Sequence, residues 1–272
     1  MAESQTRSGW ESLALSLHQL NKGHSPAALW GLARSLLMYY TIPGRARGWR
    51  TLYRQFVSPG DLCFDIGAHV GNRTAALLAI GARVVALEPQ PLFASVLHRF
   101  YGANPNFNLL AKAVGAKAGH QEILISSKAP TVSTLSREWS NRVVKTEGFA
   151  GVRWDQRLEI EAVTLDALIA QFGLPVFCKI DTEGYELEAL RGLSQPIRTI
   201  SFEYVPAAME IALSGVDRLA ELGDYRFNLI RSEYPNFDMA DWVDSNSIEN
   251  LLGAIRPDVR AGEVYARIES WP

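Results

Sequence analysis

The sequence predicts an α/β fold in which a mostly parallel sheet carries helices on both faces. From Leu62 onward, short buried strand patterns alternate with segments of helical spacing, as in sheets whose strands are joined by crossover helices. A glycine turn, Gly67 to Gly71, directly follows the first of these strands and precedes an Ala/Leu-rich helix. Several strands end on an acidic residue, and in an open parallel sheet such ends border the ligand crevice.

Length and composition favour one large domain over two small ones. The chain has 272 residues, enough to bury a full core, and its net charge of −2 gives no whole-protein electrostatic argument for nucleic acid. Cys63 and Cys178 lie in apolar runs, with neither a disulfide framework nor a zinc-type spacing. A polar start at residues 1–7 and apolar runs shorter than the ~20 residues that span a bilayer predict a cytoplasmic protein without membrane insertion.

Residues 1–57 are predicted to form a helical extension. Residues 1–25 are polar and weakly amphipathic, typical of a loose helix, and an Ala/Leu/Trp-rich helix follows over residues 26–40. Residues 45–56 form an arginine-rich helix with one apolar stripe, which consists of Trp49, Leu52, Tyr53 and Phe56. We interpret this helix as lying across the edge of the main sheet. The alternative is a basic lip over an acidic substrate or a membrane surface.

Residues 58–272 are predicted to form the main domain. Its strand patterns cover residues 62–66, 82–88, 107–113, 121–126, 158–163, 176–181, 197–204, 226–231 and 263–268. Helical patterns cover residues 72–80, 92–101, 164–172, 185–191 and 207–222, with Thr164 as an N-cap. Residues 127–156 are polar and lack periodicity, which is typical of a lid-like or flexible insertion. A second polar excursion covers residues 234–252.

The glycine turn is typical of the nucleotide-binding corner of a Rossmann-like unit. Glycine lets the backbone approach a ligand closely, and the first N–H groups of the following helix have no partner within the helix. A lone Gly-x-x-x-Gly turn is nevertheless weak evidence, because many α/β proteins use one for tight packing alone. The residues around the turn are therefore needed to distinguish nucleotide binding from tight packing.

Acidic residues end four of the predicted strands and are expected to converge on one crevice: Asp65, Glu88, Asp181 and Glu203. Glu88 follows the turn at about the distance where a carboxylate binds the two hydroxyls of a ribose. A dinucleotide fingerprint would need a glycine at position 69, where this chain has histidine. Asp65 would repel a pyrophosphate but suits a sulfonium and an ammonium group. S-adenosylmethionine (SAM) therefore fits this site better than NAD.

His69 has two interpretations at this stage. It is either a turn histidine whose ring nitrogen is satisfied by the protein, or a contact to the carboxylate of the cofactor or to the substrate. The sequence alone does not choose between them.

Several motifs of the chain resemble the FkbM family of SAM-dependent methyltransferases. The resemblance runs from about Asp61 to Glu203, and its most specific part is the block Lys-Ile-Asp-Thr-Glu-Gly-Tyr-Glu at residues 179–186. The other matching segments are Phe-Asp-Ile-Gly-Ala-His-Val-Gly at 64–71, Ala-Leu-Glu-Pro at 86–89, Ser-Thr-Leu at 133–135, Ala-Val-Gly at 113–115 and Val-Thr-Leu-Asp at 163–166.

The family resemblance implies a seven-stranded methyltransferase sheet with an antiparallel last strand, and O-methylation of a hydroxyl on a sugar or another small molecule. It implies that Asp65, Gly67, Ala68 and Gly71 hold the methionine part of SAM, that Glu88 holds the ribose, and that residues 108–113 flank the adenine. Together with neighbouring residues, the predicted cofactor-binding set is Asp65, Gly67, Ala68, His69, Gly71, Asn72, Glu88, Pro89 and Ala113. Asp181 and Glu183 would flank the transferring methyl group.

The chemistry of methyl transfer gives the two central acids their predicted roles. SAM carries a good leaving group, so the protein mainly has to align the acceptor and remove its proton. Asp181 is the predicted base. Glu183 either assists it, pairs with it to bind Mg²⁺ through oxygens, or serves as a first-turn acid of the next helix. No dedicated metal site is predicted.

Three other functions compete with O-methylation. A nucleic-acid methyltransferase is supported only by the arginine-rich helix, a NAD-dependent oxidoreductase lacks the middle glycine, and an inactive SAM-binding scaffold would not need the strand-end acids. Aromatic residues of the two polar segments are either sugar-stacking groups or ordinary loop anchors: Trp139, Trp154, Tyr234, Phe237 and Trp242. The acceptor and the oligomeric state are not predictable.

Overall fold

The computed structural model describes residues 25–231 and 234–271. The predicted loose helix of residues 1–25 therefore lies, apart from Ser25, outside the described residues. The ten strands of the described chain are β1 (Leu62–Ile66), β2 (Arg83–Leu87), β3 (Phe107–Leu110), β4 (Ala113–Val114), β5 (Gly119–Ile125), β6 (Gln156–Val163), β7 (Phe177–Ile180), β8 (Thr199–Tyr204), β9 (Tyr225–Ile230) and β10 (Gly262–Ile268).

The main sheet has seven strands in the order β3-β2-β1-β7-β8-β10-β9. Neighbours from β3 through β8 are parallel, whereas β10 runs antiparallel to both β8 and β9. Strand β1 lies centrally, where Phe64 pairs with Val85 on one side and with Cys178 on the other. This arrangement confirms the predicted seven-stranded, mostly parallel sheet with an antiparallel last strand.

A second sheet of three strands, in the order β4-β6-β5, corrects part of the strand prediction. The expected single strand over residues 107–113 is divided, so that β3 belongs to the main sheet and β4 pairs with β6. The strands predicted at 121–126 and 158–163 exist as β5 and β6, which form an antiparallel pair in this separate sheet. Ala113 lies in β4 and thus at the junction of the two sheets.

Helices cover both faces of the main sheet, as predicted. They are α1 (Pro26–Tyr40), α2 (Arg45–Tyr53), α3 (Asn72–Leu78), α4 (Pro91–Tyr101), α5 (Arg137–Val143), α6 (Leu165–Phe172), α7 (Glu186–Arg191), α8 (Met209–Leu222) and α9 (Ser245–Gly253). One buried cluster joins the sheet to α6, α7, α8 and α9, and another joins the opposite face to α2, α3 and α4. Thr164 caps α6 as predicted, accepting a hydrogen bond from the Ala167 N–H at 3.1 Å.

The arginine-rich helix α2 lies on a face of the sheet, so the expectation that it covers a sheet edge is wrong. Its apolar stripe forms as predicted, but the ring centroid of Tyr53 is 5.1 Å from that of Phe177 in β7, and Phe56 stacks on Phe177 and Tyr265. Strands β7 and β10 are interior strands. Aromatic side chains bury large apolar areas, and Tyr53 and Phe56 bury theirs against these interior strands.

Both polar segments contain more regular structure than their sequence pattern indicated. Residues 127–156 include helix α5, whose N-cap Ser136 accepts a hydrogen bond from the Trp139 N–H at 3.1 Å. Residues 234–252 include most of α9, capped by Asp244. These helices are too short for a periodic pattern to be recognised. Within the described part of the chain, no helix combines the length and the apolar character needed to cross a bilayer.

Candidate active site

The glycine turn connects the carboxyl ends of three neighbouring strands. Gly67 has a φ of +76°, and a Cβ at this position would lie 1.8 Å from the carbonyl oxygen of Asp181, so only glycine fits. The N–H groups of Gly67 and Ala68 both donate to the carbonyl of Leu87 at 2.9 Å. The turn that follows β1 is therefore fixed between the end of β2 and the segment that follows β7.

Glu88 lies directly after β2 and is almost fully buried, with 3% of its surface exposed. Its two carboxylate oxygens accept hydrogen bonds from the backbone N–H groups of His69 and Gln90, both at 2.9 Å. A carboxylate offers about four acceptor sites, so two remain for a diol. Burial raises the pKa of Glu88 to about 7, although the two backbone hydrogen bonds oppose the shift.

The structure partly decides between the two interpretations of His69. Its Nε2 atom is buried and has no hydrogen-bond partner among the described residues, and its ring lies 4.1 Å from that of Phe93. The satisfied-nitrogen interpretation thus does not hold for Nε2. Burial lowers the pKa of His69 to about 3, so the imidazole is neutral at physiological pH and offers a hydrogen bond rather than a charge.

A cavity of about 650 Å³, counting its open mouth, lies between the glycine turn and residues 130–135; we call it the glycine-turn cavity. Its wall is formed by turn and strand-end residues and by part of the polar insertion: Tyr39, Ile66, Gly67, His69, Leu87, Glu88, Pro89, Gln90, Lys112, Ala113, Val114, Ile123, Pro130, Thr131, Ser133, Leu135, Asp181, Thr182 and Glu183. The lining combines polar residues such as Glu88 and Gln90 with apolar residues such as Ala113 and Val114, which suits a nucleoside.

A buried charge network lies beneath the turn. Lys179 donates to an Oδ atom of Asp181 at 2.8 Å, and its Nζ is 4.0 Å from Oδ1 of Asp65. Asp65 is 0% exposed and also accepts a hydrogen bond from Thr74 at 2.6 Å. The two carboxylates raise the pKa of Lys179 against the opposing effect of burial. Lys179 therefore neutralises part of the negative charge of two acids, Asp65 and Asp181.

A second cavity, which we call the acidic cavity, opens beside the first at the ends of β7, β8 and β10. It is lined by Tyr39, Gly67, His69, Asn72, Arg73, Lys179, Asp181, Glu183, Glu203, Ala261, Gly262 and Glu263. One carboxylate oxygen from each of Asp181, Glu183 and Glu203 lies within 4.8 Å of the others. Burial, reinforced by the neighbouring carboxylates, raises the pKa of Glu203 well above its usual range.

The loop after β7 is fixed by the polar insertion and by its own helix. The Thr134 hydroxyl donates to the carbonyl of Glu183 at 2.6 Å, and a Cβ at Gly184 would lie 2.2 Å from the ring of Trp139. Glu186 is buried and contacts the start of its own helix. Its carboxylate accepts hydrogen bonds from the backbone N–H groups of Thr182 and Gly184 at 2.8 and 3.0 Å.

The two cavities share a wall of five residues: Tyr39, Gly67, His69, Asp181 and Glu183. Two of them, His69 and Glu183, adopt left-handed backbone conformations with φ of +49° and +53°, as no other non-glycine residue does in the described ranges 25–231 and 234–271. Such conformations cost of order 1–3 kcal/mol and concentrate at functional sites. Both residues with left-handed backbones therefore lie in the wall that the two cavities share.

Most of the predicted site residues line a cavity. The glycine-turn cavity is lined by Gly67, His69, Glu88, Pro89, Ala113, Asp181 and Glu183, and the acidic cavity adds Asn72. Asp65, Ala68 and Gly71 appear in neither lining. Strand alternation explains Asp65, since its side chain shares a sheet face with Lys179, its register partner in β7, beneath α3. Direct contact of these three with a ligand stays a prediction.

Sequence reasoning gave no site role to several residues of these cavities. Glu203 was noted as a strand-end acid, and its place beside Asp181 follows from the adjacency of β7 and β8. Tyr39, Arg73 and Glu263 carry no recognisable motif, because they come from distant elements that meet only in the fold. The strand-end rule, applied to the start of an antiparallel β10, would have identified Glu263.

The aromatic residues considered for sugar stacking are mainly packing residues. Trp139 is 1% exposed and contacts Trp154 and Phe149, and Trp154 donates its ring N–H to the Val132 carbonyl at 2.9 Å. Phe237 and Trp242 pack on each other and on Phe56. Tyr234 is 62% exposed and lines neither cavity.

The sheet order, the glycine turn and the strand-end acids together define a Rossmann-like methyltransferase fold. A family model described as the methyltransferase FkbM domain matches residues 65–228, more than half of the chain. The chain therefore belongs to the FkbM family and is a SAM-dependent methyltransferase.

Comparison with other proteins gives distant structural similarities. A search of the curated proteins found no match. An O-methyltransferase from Bacillus cereus, solved in complex with S-adenosylhomocysteine (SAH), is 14% identical with a TM-score of 0.46. The match covers 95% of this chain and 91% of that one. A precorrin-6y C5,15-methyltransferase from Geobacter metallireducens is 13% identical with a TM-score of 0.42, and the match covers 82% of this chain and 85% of that one. A SAM-dependent O-methyltransferase from Thermotoga maritima is 12% identical with a TM-score of 0.41, and the match covers 87% of this chain and 71% of that one.

Proposed function

We propose that this protein is an O-methyltransferase that acts on a hydroxyl group of a small molecule or a sugar. The observation that carries the proposal is the shared wall, which brings Asp181 and Glu183 to the boundary of a nucleoside-sized cavity and an acidic one. A hydroxyl is a poor nucleophile that needs a base beside the methyl donor. Oxygen methylation therefore makes use of these acids, as predicted from the sequence.

The residues of the glycine-turn cavity fit SAM. Glu88 keeps two acceptor sites for ribose hydroxyls after its two backbone hydrogen bonds, and Ala113 with Pro89 offers apolar surface for a base. The Nε2 of His69 is a buried polar atom without a partner in the described chain, as expected where a ligand completes the site. When bound, SAM supplies an electrophilic methyl group on a cationic sulfur, which leaves as a neutral thioether.

Asp181 is the proposed base. Its carboxylate accepts a hydrogen bond from Lys179 at 2.8 Å, and its side chain, which lines both cavities, retains 34% exposure. Glu183, with a carboxylate oxygen within 4.8 Å of one of Asp181, would orient the hydroxyl. Glu203, whose pKa is raised by burial and by these neighbours, would accommodate a proton within the cluster.

The acceptor is proposed to enter from the side of Ala261. A third cavity, about 1050 Å³ with its open mouth, adjoins the acidic cavity at this residue and is lined mainly by apolar groups such as Phe149, Val205 and Pro206. A small molecule with a hydroxyl at one end and an apolar body would fill both spaces. The residues give no specific support to a nucleic-acid acceptor.

A role for Mg²⁺ also belongs to the proposal. The three carboxylates at the acidic cavity are the oxygen ligands that Mg²⁺ prefers, but an acidic cluster alone does not define a metal site. If Mg²⁺ takes part, EDTA will abolish turnover and added Mg²⁺ will restore it. Unchanged turnover in EDTA would leave the carboxylates as acid–base groups.

The test begins with calorimetric titration of SAM, SAH and NAD⁺ into the purified protein. We expect micromolar binding of SAM and SAH and none of NAD⁺, and Glu88→Ala should weaken SAM binding by about 1.5–3 kcal/mol. Methyl-labelled SAM and a panel of hydroxylated small molecules and sugars then test turnover. Asp181→Asn should lose turnover and keep SAM binding, whereas Glu159→Gln, on an exposed strand of the second sheet, should change neither. Full turnover of Asp181→Asn would refute its role as base.

A further inference from the structure

Helix α1 lies outside the segment that matches the family model and packs beside the glycine-turn cavity, to whose lining it contributes Tyr39. Its Gly31 lies so close to the polar insertion that a Cβ would be 2.8 Å from Cδ of Pro130, a residue of the cavity wall. Leu32 and Leu36 are buried in a cluster with Val70 and Phe93. The helix is thus fixed to the glycine turn on one side and to the insertion on the other.

The last turn of α1 is also joined to the glycine turn by polar contacts. The Tyr40 hydroxyl donates to the carbonyl of Val70 at 2.9 Å and shares a hydrogen bond of 2.9 Å with the hydroxyl of Tyr101. Arg45 donates to the carbonyl of Met38 at 3.0 Å and so satisfies the C-terminal end of the helix. These contacts determine the position of Tyr39, which lies between Met38 and Tyr40.

Tyr39 belongs to the shared wall of the two cavities. The other four members come from the glycine turn and the loop after β7, whereas Tyr39 is the single contribution of α1 to either lining among the described residues. Its ring lies edge-on to that of His69, with centroids 6.0 Å apart. Tyr39 therefore borders both cavities, together with Asp181 and Glu183.

We propose that Tyr39 contacts the sulfonium and its methyl group when SAM is bound, and closes the passage between the two cavities to water. The inference rests on the proposed function, because a methyl group going from cofactor to acceptor has to cross the shared wall. An aromatic ring attracts a cation and excludes water from the site. SAH has neither the charge nor the methyl group, so the ring should favour SAM over SAH.

The ratio of the affinities for SAM and SAH tests this inference without knowledge of the acceptor. Calorimetry on the full chain should show Tyr39→Ala and Tyr39→Leu weakening SAM binding by about five- to thirtyfold, the fold-change equivalent of a cation–π contact. SAH binding should weaken by less than threefold. Tyr39→Phe keeps the ring and should keep the ratio of the unaltered protein.

Two control variants separate this role from a purely structural one. Tyr40→Phe loosens the attachment of α1 and should weaken both ligands equally, while Trp30→Ala, at a residue of the same helix that is 67% exposed, should change neither. Tyr39→Leu preserves side-chain bulk and keeps the test valid if Tyr39→Ala does not fold.

Two outcomes would overturn the inference: an equal loss of SAM and SAH binding in Tyr39→Leu, or no loss of either. Failure of the unaltered protein to bind both ligands would instead refute the proposed function. The two failures are therefore distinguishable in one set of titrations.

Discussion

The two cavities at the end of the sheet are built on different physical principles. The glycine-turn cavity depends on backbone geometry, since Gly67 has no room for a Cβ and Glu88 is fixed by the N–H groups of His69 and Gln90. The acidic cavity depends on charge, with four carboxylates and two cations, Arg73 and Lys179, in its wall. The glycine-turn cavity should therefore be sensitive to added side-chain atoms, and the acidic cavity to altered charge.

Loss of the buried cation beneath the acidic cavity should produce the largest effect. In Lys179→Met, Asp65 at 0% exposure and Asp181 lose their positive neighbour, and breaking a buried pair typically costs 3–5 kcal/mol. Urea unfolding should show a loss of about that size. The matched variant Lys112→Met breaks an exposed pair with Glu161 and should cost less than about 1 kcal/mol. Equal losses of unfolding free energy in the two variants would contradict the conclusion that the acidic cavity depends on charge balance.

An added methyl group should be nearly as damaging on the other side. Gly67→Ala forces alanine into a left-handed conformation, at about 1–2 kcal/mol, and pushes its Cβ into the Asp181 carbonyl, at about 1–3 kcal/mol more. We expect a loss of about 2–5 kcal/mol in unfolding free energy and no detectable SAM binding. Gly60→Ala is the control, since its φ is +88° with nothing within 4 Å of the new Cβ. It should incur only the conformational cost and leave SAM binding intact.

The same contrast explains what the sequence could predict. The glycine turn, Glu88 and the loop at residues 181–184 are contiguous in the chain, and the residue types they need are few, so a short motif carries the information. Asp65 shows the limit of this reasoning. It ends its strand pattern like the other acids, but it lies one residue before the end of β1, and strand alternation turns it onto the face with Lys179.

The acidic cavity was harder to predict because its residues meet only through tertiary packing. Glu203 and Glu263 are direct register partners in β8 and β10, although sixty positions separate them in the sequence. The arginine-rich helix α2 gave a correct amphipathic pattern but a wrong location, since its pattern specifies a buried stripe and not the surface that buries it. The domain boundary expected at residues 57 and 58 stays a prediction.

Ligand binding should report the ionisation of Glu88. Its pKa is raised to about 7, above the ordinary value of about 4.3, so the unliganded protein holds a proton there below pH 7. A ribose diol donates to the ionised form, and SAH affinity should fall by up to about tenfold per pH unit below pH 7 and be constant above it. Calorimetry between roughly pH 5.5 and 8.5, about one and a half units either side of the pKa, measures this slope.

Two variants identify the group responsible for that slope. Glu88→Gln should bind SAH weakly and without pH dependence. The pKa of Glu186 is also raised to about 7 by burial, but its carboxylate faces the backbone of its own loop and lines neither cavity. Glu186→Gln should therefore keep the slope, and a slope that disappears in this variant instead would remove Glu88 from the ribose site.

The smallest predicted effect concerns the contact that couples the two cavities through the polar insertion. Thr134→Val removes the 2.6 Å hydrogen bond to the carbonyl of Glu183, which is partly buried and lies in the shared wall. Such a bond contributes about 1 kcal/mol to stability, and its loss frees the left-handed backbone at Glu183 to relax. We expect a loss of unfolding free energy of that size, together with severalfold lower turnover and nearly unchanged SAH affinity, because Glu88 is untouched.

Thr41→Val removes an equally short but exposed bond at the end of α1 and should change stability by only a few tenths of a kcal/mol. If Thr134→Val weakened SAH binding as strongly as turnover, the insertion would also support the glycine-turn cavity. The distinction between a cavity that depends on backbone geometry and one that depends on charge would then fail.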